Sequence, residues 1–145
     1  MAGNIVRRVW WLVPVSVVAA AVVAVSGISY AFDVKNKACA EDFESVALSV
    51  SGVVTADFTC SSSFGNPSEK GTITLDAKTE EEAVAVMESV LRAYAETDMD
   101  NATTPFVDYV SEDGTIAVGP PDAGFNGLPS LRQIRDHYGL QEHVG

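Results

Sequence analysis

Four side chains hold most of the reactive chemistry open to this chain: Cys39, Cys60, His137 and His143. The thiols can pair, and closing a loop of about 22 residues contributes about 3 kcal/mol by the chain-entropy argument. The competing arrangement is two small buried thiols of the kind cytosolic proteins carry. A single pair in an exported domain favours the disulfide Cys39–Cys60. The histidines lie six apart near the C-terminus, with no neighbouring cysteine and no His-x-x-x-His, so zinc ligation has no donor set. His137 stands between Asp136 and Tyr138 on an expected helix, where a structural role is the default. No Gly-x-Ser-x-Gly elbow offers a serine nucleophile. Glu80, Glu81 and Glu82 suggest a cation site, but at a helix start they complement the dipole and stay solvated. Asp98-Met99-Asp100-Asn101 begins like a calcium loop. Ala102 then stands where a third ligand belongs, Thr103 replaces the turn glycine and Tyr109 the closing glutamate. The glycines between Gly119 and Gly127 lack the spacing of a phosphate cradle. Asn101-Ala102-Thr103 fits a glycosylation acceptor, a triplet frequent by chance. No catalytic, cofactor-binding or metal-ligating residue is therefore assigned, and no cofactor is expected.

The elements that would position these groups begin with an uncharged stretch of 24 residues, Val9 to Phe32, preceded by Arg7 and Arg8. A bilayer core needs about 20 apolar residues as helix. Trp11 and Tyr30 stand roughly 28 Å apart at helical rise, which suits aromatic residues at both interfaces. The stretch reads as a single-pass transmembrane helix. The competing reading is a signal peptide cleaved after Ala31, but its apolar region is longer than the usual 7–15 residues. Lysines and arginines tie across the flanks. The short tail and free amine then favour a cytoplasmic N-terminus and an extracytoplasmic C-terminal domain. Ser16, Ala20 and Ala24 share one helix face, a spacing that lets membrane helices pack closely as a homodimer. The organisation expected is a cytoplasmic tail at 1–8, the span at 9–32, a linker at 33–38 and an exported domain at 39–145.

All 20 acids follow the span, against 7 of the 9 bases, so the part from Asp33 onward carries a net charge of −13. That field repels nucleic acid and anionic lipid, and it favours solubility or a cationic partner.

Within the exported part, Cys39 to Leu48 reads as a short amphipathic helix ended by Ser51-Gly52. Val54, Ala56, Phe58 and Cys60 alternate with polar residues as a half-buried strand. Gly71 to Ala77 repeats that pattern with Ile73 and Leu75 inward, across a long loop from Ser61 to Lys70. Thr79 opens the strongest helix, which runs to about Glu96 with Glu82 closing a capping box. Ser111-Glu112-Asp113-Gly114 joins two further runs as a hairpin. Ser130 opens a last helix with Leu131, Ile134 and Tyr138 on one face, stopped by Gly139. Arg132 and Arg135 fall on its outer side, where pairing with acids is the simpler expectation. The fold class expected is α+β, a small antiparallel sheet with helices packed on one face.

Ser45 to Tyr94, with its helix, Gly52-Val53, a strand ending at Phe58, a second strand and a Glu-rich helix, resembles part of the ferredoxin-like heavy-metal-associated domain. The metal-binding Cys-x-x-Cys of that family is absent, so the resemblance implies a fold and no metal chemistry. The composition, rich in Ala, Val, Asp and Glu, resembles small single-pass exported proteins of actinobacterial type. The function expected is non-enzymatic: binding, or accessory to a larger envelope assembly with an envelope protein as partner. The alternatives are a secreted form of the same domain, or a hydrolase too divergent to show a motif.

Overall fold

Alternation of apolar and polar residues gives the sheet two unlike faces, and every helix that contributes to the core covers the same one. The computed structural model describes residues 33–63, 66–97 and 104–140. The expected span over 9–32, with Ser16, Ala20 and Ala24, lies outside them, as do Asp98 to Thr103 and His143. The chain divides into two compact units, residues 1–35 and 36–145, and the architecture below is that of the second. Helix α1 occupies residues 33–48, so the expected linker at 33–38 is helical too. Strands β1 (Val53–Ser63) and β2 (Asn66–Leu75) follow, then α2 (Glu80–Ala95), β3 (Phe106–Ser111), β4 (Ala117–Val118) and α3 (Leu131–Tyr138).

The strands lie in the order β1-β2-β3-β4. β1 and β2 pair antiparallel, as do β3 and β4, but β2 and β3 run parallel, with Lys70 opposite Phe106 and Leu75 opposite Ser111. The expectation of an antiparallel sheet of the ferredoxin-like kind is corrected here: the sheet is mixed. The cause is α2, which crosses over from the end of β2 and returns the chain beside it in the same direction, as parallel neighbours require. The transmembrane helix expected in the same fold class is not met among the described residues either, and its segment lies outside them. Among the described residues, no helix is long and apolar enough to cross a membrane.

Thr79 caps α2 as expected, its hydroxyl accepting from the Glu82 N–H at 3.2 Å. The reciprocal arm differs. The Glu82 carboxylate accepts from the Lys78 N–H at 2.8 Å rather than from Thr79. Ala83, Met87, Val90, Leu91 and Tyr94 form the buried stripe of α2 and meet Ile73, Leu75, Val107 and Tyr109 of the sheet. Burial pushes the Tyr94 and Tyr109 phenols far above their usual range. Both remain neutral hydroxyls.

Helix α1 packs beside the edge strand β1. Phe43 stacks on Phe58 with ring centroids 5.5 Å apart, and Tyr94 meets Phe43 edge-on. The Tyr94 hydroxyl donates to the Phe43 carbonyl at 3.2 Å. The Glu44 carboxylate accepts the Phe58 N–H at 3.1 Å, so α1 blunts part of the exposed edge of β1. Cys39 and Cys60 form the disulfide, with their Cα atoms 6.1 Å apart.

Two details of β1 depart from simple alternation. The register slips between Val53 and Thr55, and this bulge turns Val53 toward the core and leaves Val54 exposed. The expected loop from Ser61 to Lys70 is mostly ladder, with pairing that extends to Ser63 and Asn66. The turn before β1 depends on Gly52 at φ +94°, where a Cβ would meet Val86 Cγ2 at 2.7 Å. Gly52→Ala is expected to lower stability by about 1–3 kcal/mol. Thermal unfolding measures it, and an unchanged midpoint would show that this turn is not constrained.

Candidate functional site

The sheet face away from the helices is where the fold leaves functional groups uncovered. On β1, Thr55, Asp57 and Thr59 point to this side, because Phe58 points to the other. Lys70 and Thr72 do so on β2, and Phe106 and Asp108 on β3; all seven are exposed. Register arranges them in rows across the strands. Thr59, Lys70 and Phe106 form one row, and Asp57, Thr72 and Asp108 the next. Thr55 opens a third row by donating its hydroxyl to that of Thr74 at 2.9 Å. The first two rows line a shallow, open cavity of about 580 Å³. Phe106 is 53% exposed, the one aromatic among the exposed large hydrophobic side chains of the described residues.

The row spacing explains why these groups stay apart. Neighbouring strands lie about 4.8 Å apart, so the Cα atoms of Asp57 and Asp108 are separated by roughly 10 Å across Thr72. Among the described residues the ion pairs are Lys37–Glu41 and Lys78–Asp76, and neither involves Asp57, Asp108 or Lys70. The face therefore presents two carboxylates, one ammonium, hydroxyls and an aromatic ring directly to solvent.

Gly71 makes the opposite face possible at this point. It lies across from Phe58, whose ring carbons come within 2.5 Å of where a Gly71 Cβ would stand. The ring fills that space and packs on Phe43, which ties the rear of the exposed rows to α1.

The residues singled out in the sequence fall elsewhere. Cys39 and Cys60 are joined on the helix side, half-buried. Burial raises the pKa of Glu69, the partner of Cys60 across the hairpin, from its ordinary value. Glu80, Glu81 and Glu88 gather with Asp122 beside the start of α2, all at some remove from the open face. Among the described residues, no group of three His, Cys, Asp or Glu side chains is placed to hold a metal ion. His137 is exposed and lies against Phe125 and Tyr138, with centroids 4.6 and 4.7 Å away.

Arg135 corrects the expectation of an outward-facing arginine pair. It is half-buried, and its Nε donates to the Ala95 carbonyl at 2.7 Å, at the negative end of the α2 dipole. Arg132 is exposed. A third arginine, Arg92, lies 4.1 Å over the Tyr138 ring, and the Tyr138 hydroxyl donates to Glu88 at 2.9 Å. Burial, then the Glu88 carboxylate, holds that phenol above its usual range. These contacts fasten α3 to α2 and leave both helices committed to structure.

The turn after β3 carries the clearest titration. The Asp113 carboxylate accepts from the Ser111 hydroxyl at 2.7 Å, and from the N–H and hydroxyl of Thr115 at 3.0 and 2.8 Å. These bonds, Ser111 first, lower its pKa from 3.8 to about 2. The folded state thus binds this proton less readily than the unfolded chain. Its contribution is complete above the unfolded value near 4 and is lost as pH falls toward 2. The stability difference between wild type and Asp113→Asn is expected to be constant above about pH 5, to shrink as pH falls and to vanish only below about pH 2. Urea titrations across that range measure it, and a difference independent of pH would remove Asp113 as its source.

The open face was missed in the sequence because Asp57, Thr59 and Thr72 read as ordinary solvated strand residues. The signal available was Phe106, which alternation places on the same side as Asp108. No protein-family model, curated protein or solved structure matches this chain.

Proposed function

We propose that this chain is a non-enzymatic accessory protein of a cell envelope. It is held at a membrane through the uncharged segment 9–32, and its acidic extracytoplasmic domain docks a protein partner. The observation that carries this reading is the four-stranded sheet, which among the described residues has helices on one face and none on the other, where Phe106 stands exposed among polar rows. A polar face alone needs no partner. An aromatic ring within it favours burial in a complex, where aromatic side chains are enriched. The Cys39–Cys60 disulfide supports an oxidising compartment.

The test is photo-crosslinking of the full chain in its native membrane. A photoreactive side chain replaces Thr72 on the open face or Ala85 on the outer side of α2. A discrete adduct is expected from position 72 and none from position 85. Equal labelling at both positions, or none at either, would sink the docking reading. Cell fractionation with N-terminal sequencing addresses the membrane attachment separately, since a mature chain starting at Phe32 would replace it with secretion.

A further inference from the structure

We infer that the open sheet face takes a cationic polypeptide: an arginine- or lysine-bearing segment of another protein that lies across Asp57, Thr72 and Asp108 and against Phe106. This inference rests on the docking reading above and names the chemistry of the partner.

The argument starts from the two aspartates. Asp is depleted in strands, because its short side chain competes for the backbone. Here two of them occupy one cross-strand row, on either side of Thr72. Neither takes part in an ion pair among the described residues. Phe106 stands two residues from Asp108 on the same strand and the same face, and all four residues line one cavity. A carboxylate beside an exposed ring suits a guanidinium or ammonium group. The carboxylate accepts its N–H bonds, and the ring face attracts the charge.

Charge then selects among occupants. A second copy of this domain would bring two more aspartates against a single Lys70, and another net charge of −13. Anionic lipid and nucleic acid meet the same repulsion. A basic segment is attracted by the whole field and is steered to the face where the carboxylates pair with no base among the described residues. Lys70, in the adjacent row beside Phe106, repels a base placed one row too far and so helps to set the register of the bound segment.

Binding of two synthetic peptides to the full chain in non-ionic detergent tests this. One is a 12-residue alternation of Arg and Ser, which at about 40 Å extended is more than long enough to cross four strands; the other replaces each Arg by Gln. The Arg peptide is expected to bind and the Gln peptide not. Asp57→Asn with Asp108→Asn should weaken binding about tenfold, and Phe106→Ala a few-fold. Glu80→Gln with Glu81→Gln removes the same charge from α2 and should change affinity by less than about twofold. Equal losses from both double variants would reduce the effect to the general field and overturn the inference, as would no binding of the Arg peptide. A crosslinked partner whose contact segment is acidic or uncharged would also overturn it, while leaving the docking reading intact.

Discussion

Phe43→Ala is expected to destabilise the domain by about 3–5 kcal/mol, the usual cost of emptying a buried phenylalanine site. Phe43 is 3% exposed and joins three elements, because its ring contacts Phe58 of β1 and Tyr94 of α2. Its removal leaves the Tyr94 hydroxyl bond to the backbone of residue 43 in place, but takes away the apolar surface that holds α1 against the sheet. Phe58 would lose its stacking partner and, with Gly71 opposite, has no side chain behind it to lean on. Urea unfolding of the oxidised full chain, followed by circular dichroism, measures the loss. A change below about 1 kcal/mol would show that α1 packs too loosely to matter, since surface substitutions have effects of that size.

Replacing both cysteines by serine is expected to cost about 3 kcal/mol, from the loop of about 22 residues that the bridge closes. For a domain of this size that is roughly 10–20 °C in thermal midpoint. The loss should be larger when combined with Phe43→Ala than the separate losses predict, because the ring and the bridge hold the same helix. With both gone, the remaining ties of α1 include Ala47, the partly buried Ala40 and Val46, the Tyr94 bond and the Glu44 contact to Phe58. Thermal unfolding of the single, double and combined variants gives the coupling. Strict additivity would mean that the bridge acts on the unfolded chain alone and not on the docking of α1. Reduction of the wild type without a fall in midpoint would discard the bridge as a source of stability.

Local signals carried much of the fold. Thr79, Ser130 and Gly139 mark helix ends because capping is decided within a few residues, and all three occupy those positions. Asp113-Gly114 marks the turn after β3 for the same reason, with Gly114 at φ +70°. Ile73 and Leu75 declare the inner face of β2 by alternation alone. What escaped depends on distant parts of the chain. The parallel pairing of β2 with β3 follows from how α2 crosses between them, which no window of sequence contains. Ser61 to Ser63 and Asn66 to Ser68 have weak strand preference, yet ladder pairing with each other carries them, next to the bridge at Cys60. Arg135 looked solvated because its acceptor, Ala95, lies 40 positions away. The open face is the sharpest case. Alternation turns Thr55, Asp57, Thr59 and Thr72 outward, but Lys70 falls in the expected loop and Phe106 in an apolar run with no face read from it; the rows depend on two strand registers, and their exposure on where the helices settle.

The disulfide has a mechanical consequence. Tension that reaches the domain from its N-terminal side passes along the main chain to Cys39 and can cross the bridge directly to Cys60. Residues 40–59 then lie off the covalent load path. The packing of Phe43 and Ala47, the Glu44 contact and the first half of β1 are spared any pull. The load instead enters the middle of the long hairpin, where Cys60 faces Glu69 across the ladder. A domain pulled from that side would keep the part of its first helix beyond Cys39 seated, and with it the sheet that offers the open face.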